Sequence, residues 1–124
     1  MLTLYDISAS GLTAARLRMA VVADNLANAD TPGFQADVVE LAPVPPAATG
    51  PDAGIGGGVA VTGIVPLPAP AGPTPGPAGA NGPPGSNVSE VASLTDLISA
   101  QAAYAANATA FNAAKALDQR ALTL

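Results

Sequence analysis

The sequence predicts a mainly α protein: two long terminal helices forming a coiled-coil-like hairpin, joined by a Pro/Gly-rich middle loop with room for one short β-hairpin. Three observations carry this reading. Small and apolar residues recur at alternating three- and four-residue steps in both flanks, 12 of the 13 prolines and 11 of the 13 glycines fall between Pro43 and Ser86, and the middle holds one strand-like run, Gly58 to Val65. The chain therefore divides into an N-terminal helix with its closing turn (1–34), a largely irregular middle segment (35–86) and a C-terminal helix (87–124).

In the first flank, Thr3 is followed three places later by Asp6, a capping-box-like start whose hydroxyl and carboxylate satisfy amide donors left open in a first helical turn. A helix beginning near Leu4 is expected. Tyr5, Ser8, Leu12, Ala15, Met19, Val22, Leu26 and Ala29 then form one seam of 3.5-residue period. Asn28, Asp30, Thr31, Pro32 and Gly33 stop it, because proline disfavours helical geometry in the residue before it and glycine tolerates positive φ. About 25 residues make a rod of about 38 Å.

The second flank opens with Asn87 as candidate N-cap and Glu90 at the positive end of the helix dipole. Leu94, Leu97, Gln101, Tyr104, Ala108, Phe111, Lys115, Asp118 and Leu122 repeat the three-and-four pattern, with Ile98, Ala102 and Ala105 broadening the stripe. Lys115 and Arg120 fall in the last turns, where cations suit the dipole. A helix of about 35 residues is about 50 Å long, well beyond the globular range of about 8 to 20 residues, and such length predicts packing against other chains.

Between the flanks, Gly58-Val-Ala-Val-Thr-Gly-Ile-Val65 is rich in β-branched residues and bounded by glycine and Pro66. Gly76, Gly79, Gly82 and Gly85 keep a three-residue spacing beside prolines, too few triplets for a collagen helix, so this stretch is expected to be polyproline-like linker.

Composition narrows the function. Of the 124 residues 49% are apolar, but 29 are alanine and only four are aromatic. Alanine buries little area, and the hydrophobic term scales with area at about 25 cal/mol per Å², so the chain is expected to need partners to stay folded. Four basic residues, Arg16, Arg18, Lys115 and Arg120, stand against nine acidic ones. No basic patch exists for a phosphate backbone, which excludes nucleic acid as a partner. The absence of cysteine and histidine removes thiol and imidazole chemistry and most transition-metal sites. The start, Met1 to Asp6, lacks the basic region of a secretory signal, and neither of the long uncharged stretches has the unbroken apolar character of a membrane span.

Catalytic constellations are scarce. Asp24 with Asp30 and Asp37 with Glu40 are carboxylate pairs without a second catalytic residue type nearby, and acids at helix ends ordinarily act as caps or solvated charges. Gly54 to Gly58 precedes a strand-like run instead of opening a helix, so it is a loop and not a phosphate cradle. Asp37, Glu40 and Asp52 lack the spacing of an oxygen-ligand cation loop. No enzyme, cofactor or metal is expected. The helical asparagines are more informative, since each carries a helix-propensity cost of a few tenths of a kcal/mol. Either Asn28 closes its helix while Asn25, Asn107 and Asn112 face solvent, or Asn25 and Asn107 bond across packed helices and fix their register. Packing is expected to run through Leu12, Ala15, Met19, Val22, Asn25, Leu26 and Asn28 of the first helix. Its counterpart is Leu94, Leu97, Ile98, Tyr104, Asn107, Ala108 and Phe111 of the second, in the same or adjacent chains.

Val22 to Phe34, Val-Ala-Asp-Asn-Leu-Ala-Asn-Ala-Asp-Thr-Pro-Gly-Phe, resembles the signature that follows the first helix in bacterial flagellar rod and hook proteins. Asn87-Val88, Leu97 to Asn107 and Ala114 to Leu117 resemble the C-terminal helix shared by the same axial proteins, and with Gly58 to Ile64 the likeness covers about two thirds of the chain. The resemblance implies a structural subunit of the flagellar basal-body rod. Its terminal helices would pack with copies of itself and with other axial proteins into a tubular, torque-transmitting core in the periplasm. It also implies delivery by the flagellar type III export apparatus without a cleaved signal. A rival reading from the residues alone is a stand-alone helical hairpin that presents its Pro-rich loop to a partner.

Overall fold

The structure, a computed structural model, describes residues 4–68 and 85–123. Helix α1 spans Leu4–Ala27, strands β1 (Asp37–Pro43) and β2 (Val59–Pro66) form a two-stranded antiparallel sheet, and helix α2 spans Glu90–Leu122. The protein is mainly helical with one small hairpin. Thr3 and the proline-glycine run through residues 69–84, on which a cap and a linker were expected, lie outside the described residues.

The two helices run antiparallel, as three pairs along their length establish. Tyr5 meets Phe111 edge to face with ring centroids 5.2 Å apart, Gly11 lies against Asn107, and Arg18 makes an ion pair with Asp96. Desolvation at this packed end, and secondly the Asp118 carboxylate, hold the Tyr5 phenol above its ordinary pKa. At the middle pair the helices approach so closely that a Cβ on Gly11 would lie 2.5 Å from Asn107 Oδ1. Small side chains make that approach possible: Ser8, Ala15, Ala100 and Ala114 are all buried.

This face of α2 is rotated from the seam read in the sequence. Ala100 and Ala114 are buried and Ser93, Leu97, Ala103, Asn107 and Phe111 half-buried, whereas Gln101, Lys115, Asp118 and Leu122 of the expected seam are exposed. Three-and-four spacing fits more than one face of a helix this rich in alanine. Packing favours the side on which alanine, serine and asparagine let the backbones come together.

The start of α2 also differs from expectation. Its N-cap is Ser89, whose hydroxyl accepts the Ala92 N–H at 3.3 Å, and not Asn87. Asn87 is engaged elsewhere, as described below. At the other end of α1 the chain turns through Thr31-Pro32-Gly33-Phe34, closed by a 3.1 Å bond from Phe34 N–H to the Thr31 carbonyl, with Gly33 at φ +75°. Proline in the second position and a positive-φ glycine in the third are the features of a type II turn.

The hairpin lies lengthwise on α1. Its β2 strand matches the strand-like run in the sequence within one residue at each end; β1 was not expected, because Asp-Val-Val-Glu-Leu-Ala-Pro mixes charge and proline into a short run. Pairing runs from Asp37 opposite Pro66 to Pro43 opposite Val59, with an irregularity between Glu40 and Leu41 where Thr62 has no partner.

The core is thin. The buried apolar residues among those described are Ala14, Ala15, Val22, Ala36, Ala100 and Ala114, and no large side chain is fully enclosed. A buried methyl group is worth about 0.8 kcal/mol against about 1.5 to 3 for a large aliphatic side chain. Ordering the backbone costs about 1 to 2 kcal/mol per residue, so this interior leaves little net stability.

Replacing Gly11 with Ala is expected to lower the unfolding free energy by about 1 to 3 kcal/mol by overpacking the helix crossing. Shortening the facing residue in the double variant Gly11→Ala, Asn107→Ala should recover part of that loss. Urea unfolding of the four proteins measures the coupling; equal losses with and without Asn107 would mean that the crossing is not as tight as described.

Candidate packing and assembly site

The residues that position the elements meet where the end of α1, the base of the hairpin and the start of α2 converge. Asn25, buried near the end of α1, turns its amide to the backbone of β1: Nδ2 donates to the Asp37 carbonyl at 2.7 Å and Oδ1 accepts the Asp37 N–H at 2.8 Å. One side chain thus supplies both hydrogen bonds that a neighbouring strand would otherwise give that residue. Asn25 was expected either to face solvent or to bond across the helices, and it does neither. The cross-helix alternative underestimated how strongly an unpaired strand residue competes for an amide with both donor and acceptor.

Asn87 makes the second clip. Its Oδ1 accepts the Ala36 N–H at 2.6 Å, its Nδ2 donates to the Leu67 carbonyl at 3.3 Å, and its own N–H donates to the Phe34 carbonyl at 3.2 Å. Leu67 N–H in turn bonds the Ala36 carbonyl at 2.6 Å. The closing turn of α1, both ends of the hairpin and the lead into α2 are therefore tied to one amide. At the far end, Ser10 Oγ donates to the Ile7 carbonyl at 2.7 Å and accepts the Val59 N–H at 3.0 Å. Gly58, at φ +92°, brings β2 so close that a Cβ there would overlap Ser10 Oγ. Any L-side chain at Gly58 would be strained twice, by backbone and by space.

The remaining sequence-predicted residues fall into two groups. Ala15, Val22 and Asn25 are buried, and Leu12, Met19, Leu26, Asn28, Leu97, Asn107, Ala108 and Phe111 are half-buried. Leu94, Ile98 and Tyr104 point away from the chain's own interior, with 48%, 67% and 37% of their surface exposed. Asn28 closes α1, its Nδ2 bonding the Asp24 carbonyl at 2.9 Å and its Oδ1 accepting from Thr31 Oγ1 at 3.3 Å. Asn107 bonds the Ala103 carbonyl of its own helix at 2.9 Å while resting against Gly11, so it spaces the helices sterically and makes no hydrogen bond between them. Arg18 and Asp96, separated by 78 positions, were not legible as partners, since no local spacing links them. An ion pair this accessible contributes at most about 1 kcal/mol and acts chiefly on register.

A cleft of about 460 Å³ opens between α1, β1 and the start of α2, lined by Arg18, Val22, Asn25, Leu41, Asn87 and Asp96 among others. The Asn25 and Asn87 amides in it are engaged with backbone, and the Arg18 guanidinium with the Asp96 carboxylate. No group of three or more metal-ligating side chains comes together among the described residues, and no described helix is long and apolar enough to cross a membrane.

Long helices in tight contact, a small strapped hairpin and exposed apolar side chains along one of the helices define a packing protein, a class whose chemistry is association. Two family models identify which. Residues 6–35 match the family described as flagella basal body rod protein, and residues 85–124 match the one described as flagellar basal body rod FlgEFG protein C-terminal; together they span more than half of the chain. The chain belongs to the flagellar rod and hook family, and its family domains are structural, not enzymatic. It is a structural component of the flagellar basal-body rod. A comparison with curated proteins gave no match.

Removing either amide should loosen the junction. Asn25→Ala leaves a half-buried N–H and C=O of β1 without their partner, a loss of about 1 to 3 kcal/mol, and should accelerate hydrogen exchange at the Asp37 amide far more than at Val59, which Ser10 still holds. Asn87→Ala should do the same at Ala36. Unchanged exchange at both amides in both variants would show that the clips do not hold the hairpin.

Proposed function

We propose that this chain is an axial subunit of the proximal rod in the periplasm, one that packs through both terminal helices with copies of itself and with other rod proteins and carries torque along the stack. In this reading the flagellar type III export apparatus delivers it without a cleaved signal. Membership of the rod family supports the axial role, and the observation that carries the packing mode is how α2 distributes its side chains. Its inward face is built from Ala100, Ala103, Asn107 and Ala114, while Val91, Leu94, Ile98 and Tyr104 stand outside. Burying those four against neighbouring helices supplies the area that the monomer lacks, and thin helices surrounded by copies form a stiff core.

Two kinds of residue then have different duties. Leu97 and Phe111 serve the helix pair within one chain, and Leu94 and Ile98 serve contacts between chains. The double variant Leu94→Asp, Ile98→Asp should retain the helicity of the isolated chain yet fail to enter basal bodies, with loss of swimming when it replaces the wild type. Leu97→Asp or Phe111→Asp should lose helicity as well, by about 2 to 5 kcal/mol of unfolding free energy. Circular dichroism of the purified proteins, imaging of basal bodies and a swimming assay check both; normal incorporation of the Leu94, Ile98 double variant would contradict the packing mode.

A further inference from the structure

Every second residue of an antiparallel strand turns its N–H and C=O away from its partner, and in this hairpin the alternation can be followed from end to end. At the base the Ala36 carbonyl accepts the Leu67 N–H at 2.6 Å. At the far end Val44 gives its N–H to the Gly58 carbonyl at 2.9 Å and accepts the Gly57 N–H at 3.0 Å. Between these points Asp37 pairs with Pro66 and Pro43 with Val59. The outward residues of β1 are therefore Asp37, Val39, Leu41 and Pro43. Those of β2 are Val59, Val61, Ile64 and Pro66, the unpaired Thr62 lengthening the step between the middle two.

All four corners of this ladder are closed to a further strand. At the base Asn25 occupies the N–H and C=O of Asp37, and Pro66 opposite has no N–H to give. At the far end Ser10 occupies the Val59 N–H, and Pro43 opposite has none. Neither proline ends the pairing, because bonds continue beyond them at Leu67 and Val44. Both sit within the ladder, where only an outward position admits proline without loss of a pair bond. Openings remain in the middle of each edge. Val39 and Leu41 of β1 line the cleft. Val61 and Ile64 of β2 are 37% and 48% exposed, but an added strand bonds at every second residue, and Thr62 breaks that repeat.

The segment behind these closures is one that would extend readily. Val59 to Val65 carries no charge and is rich in β-branched residues, the composition from which stacked intermolecular sheets are built. We propose that Asn25, Ser10, Pro43 and Pro66 act together as a guard against strand addition, preventing the hairpin of a second copy of this chain from extending the sheet. Two members are side chains lent by α1 and two are rings in the strands, so each end of the hairpin is closed once by either means. Native sheets commonly blunt their edges with proline and irregular pairing, and here the helix supplies the rest. The inference goes beyond the axial reading, since it concerns a contact that the hairpin refuses.

The test uses the full chain. Pro43→Thr with Pro66→Thr restores two outward N–H groups and makes the strands more polar, so faster aggregation cannot come from added apolar surface. Pro46→Thr with Pro51→Thr makes the same chemical change at two exposed prolines outside the strands. Helicity of the strand variant should match that of the wild type, while the lag before thioflavin fluorescence, accompanied by the infrared band of intermolecular β-structure, should shorten about tenfold. The loop variant should keep the lag of the wild type. A strand variant no faster than the wild type, or a loop variant equally fast, would overturn the proposal. Should the strand variant lose helicity, Ile64→Pro decides, because it closes an open outward position and removes no pair bond. A longer lag than that of the wild type then upholds the guard, and a lag that does not lengthen overturns it.

Discussion

Two helices can approach closely only where neither has much to put between them, and in this chain that constraint governs the rest. At the Gly11–Asn107 crossing a single added methyl group has no room, and the buried positions on either side are serine and alanine. Close backbones give dense van der Waals contact, but the area removed from water per residue is small. The pair is therefore well defined in geometry and poor in energy. Leucine, isoleucine and tyrosine side chains that would ordinarily supply the energy are displaced to the outer side of α2, where they remain available to something else.

The hairpin completes the geometry without adding much core. It is held by specific polar groups at its two ends, Asn25 and Asn87 at the base and Ser10 at the far end. Each of these meets backbone groups that an isolated two-stranded sheet could not otherwise satisfy, and such sheets are marginal in water on their own. One consequence concerns the cleft. Because Asn87 ties Ala36, Phe34 and Leu67 together, the hairpin base cannot swing freely from the start of α2, and the wall that β1 presents there is fixed in relation to both helices. The polar junction thus shapes the apolar one.

Much of this was legible in the residues, and the parts that were not share a cause. Pro32 and Gly33 closed the first helix because their backbone preferences act locally, and Gly58 to Val65 announced a strand for the same reason. Helix lengths followed from uninterrupted periodicity. The inner face of α2 overlaps the expected seam only in part, at Leu97, Ala108 and Phe111, because in an alanine-rich helix three-and-four spacing cannot tell a core of large side chains from a close contact of small ones; both repeat every three or four residues. Asn87 was assigned as a cap by local spacing, but its partners Ala36 and Leu67 are 51 and 20 positions away. Asn25 with Asp37 and Arg18 with Asp96 are likewise unions made by the fold, and no short-range pattern encodes them. Most of the family likeness was visible because it resides in contiguous stretches at the two ends, which the family models match; Gly58 to Ile64, also part of the resemblance, lies outside both matches.

On the proposed packing mode, a protein with a nearly all-alanine interior and an apolar stripe facing outward would gain stability as its neighbours arrive, and folding and association would be one equilibrium. The measurement that bears on this most directly is the thermal midpoint of the purified full chain, followed by circular dichroism at 222 nm over a wide range of protein concentration with sedimentation at each point. The account predicts that helicity and midpoint rise together as larger species form. A monomer that melts sharply at one temperature, unchanged across the whole range, would contradict it.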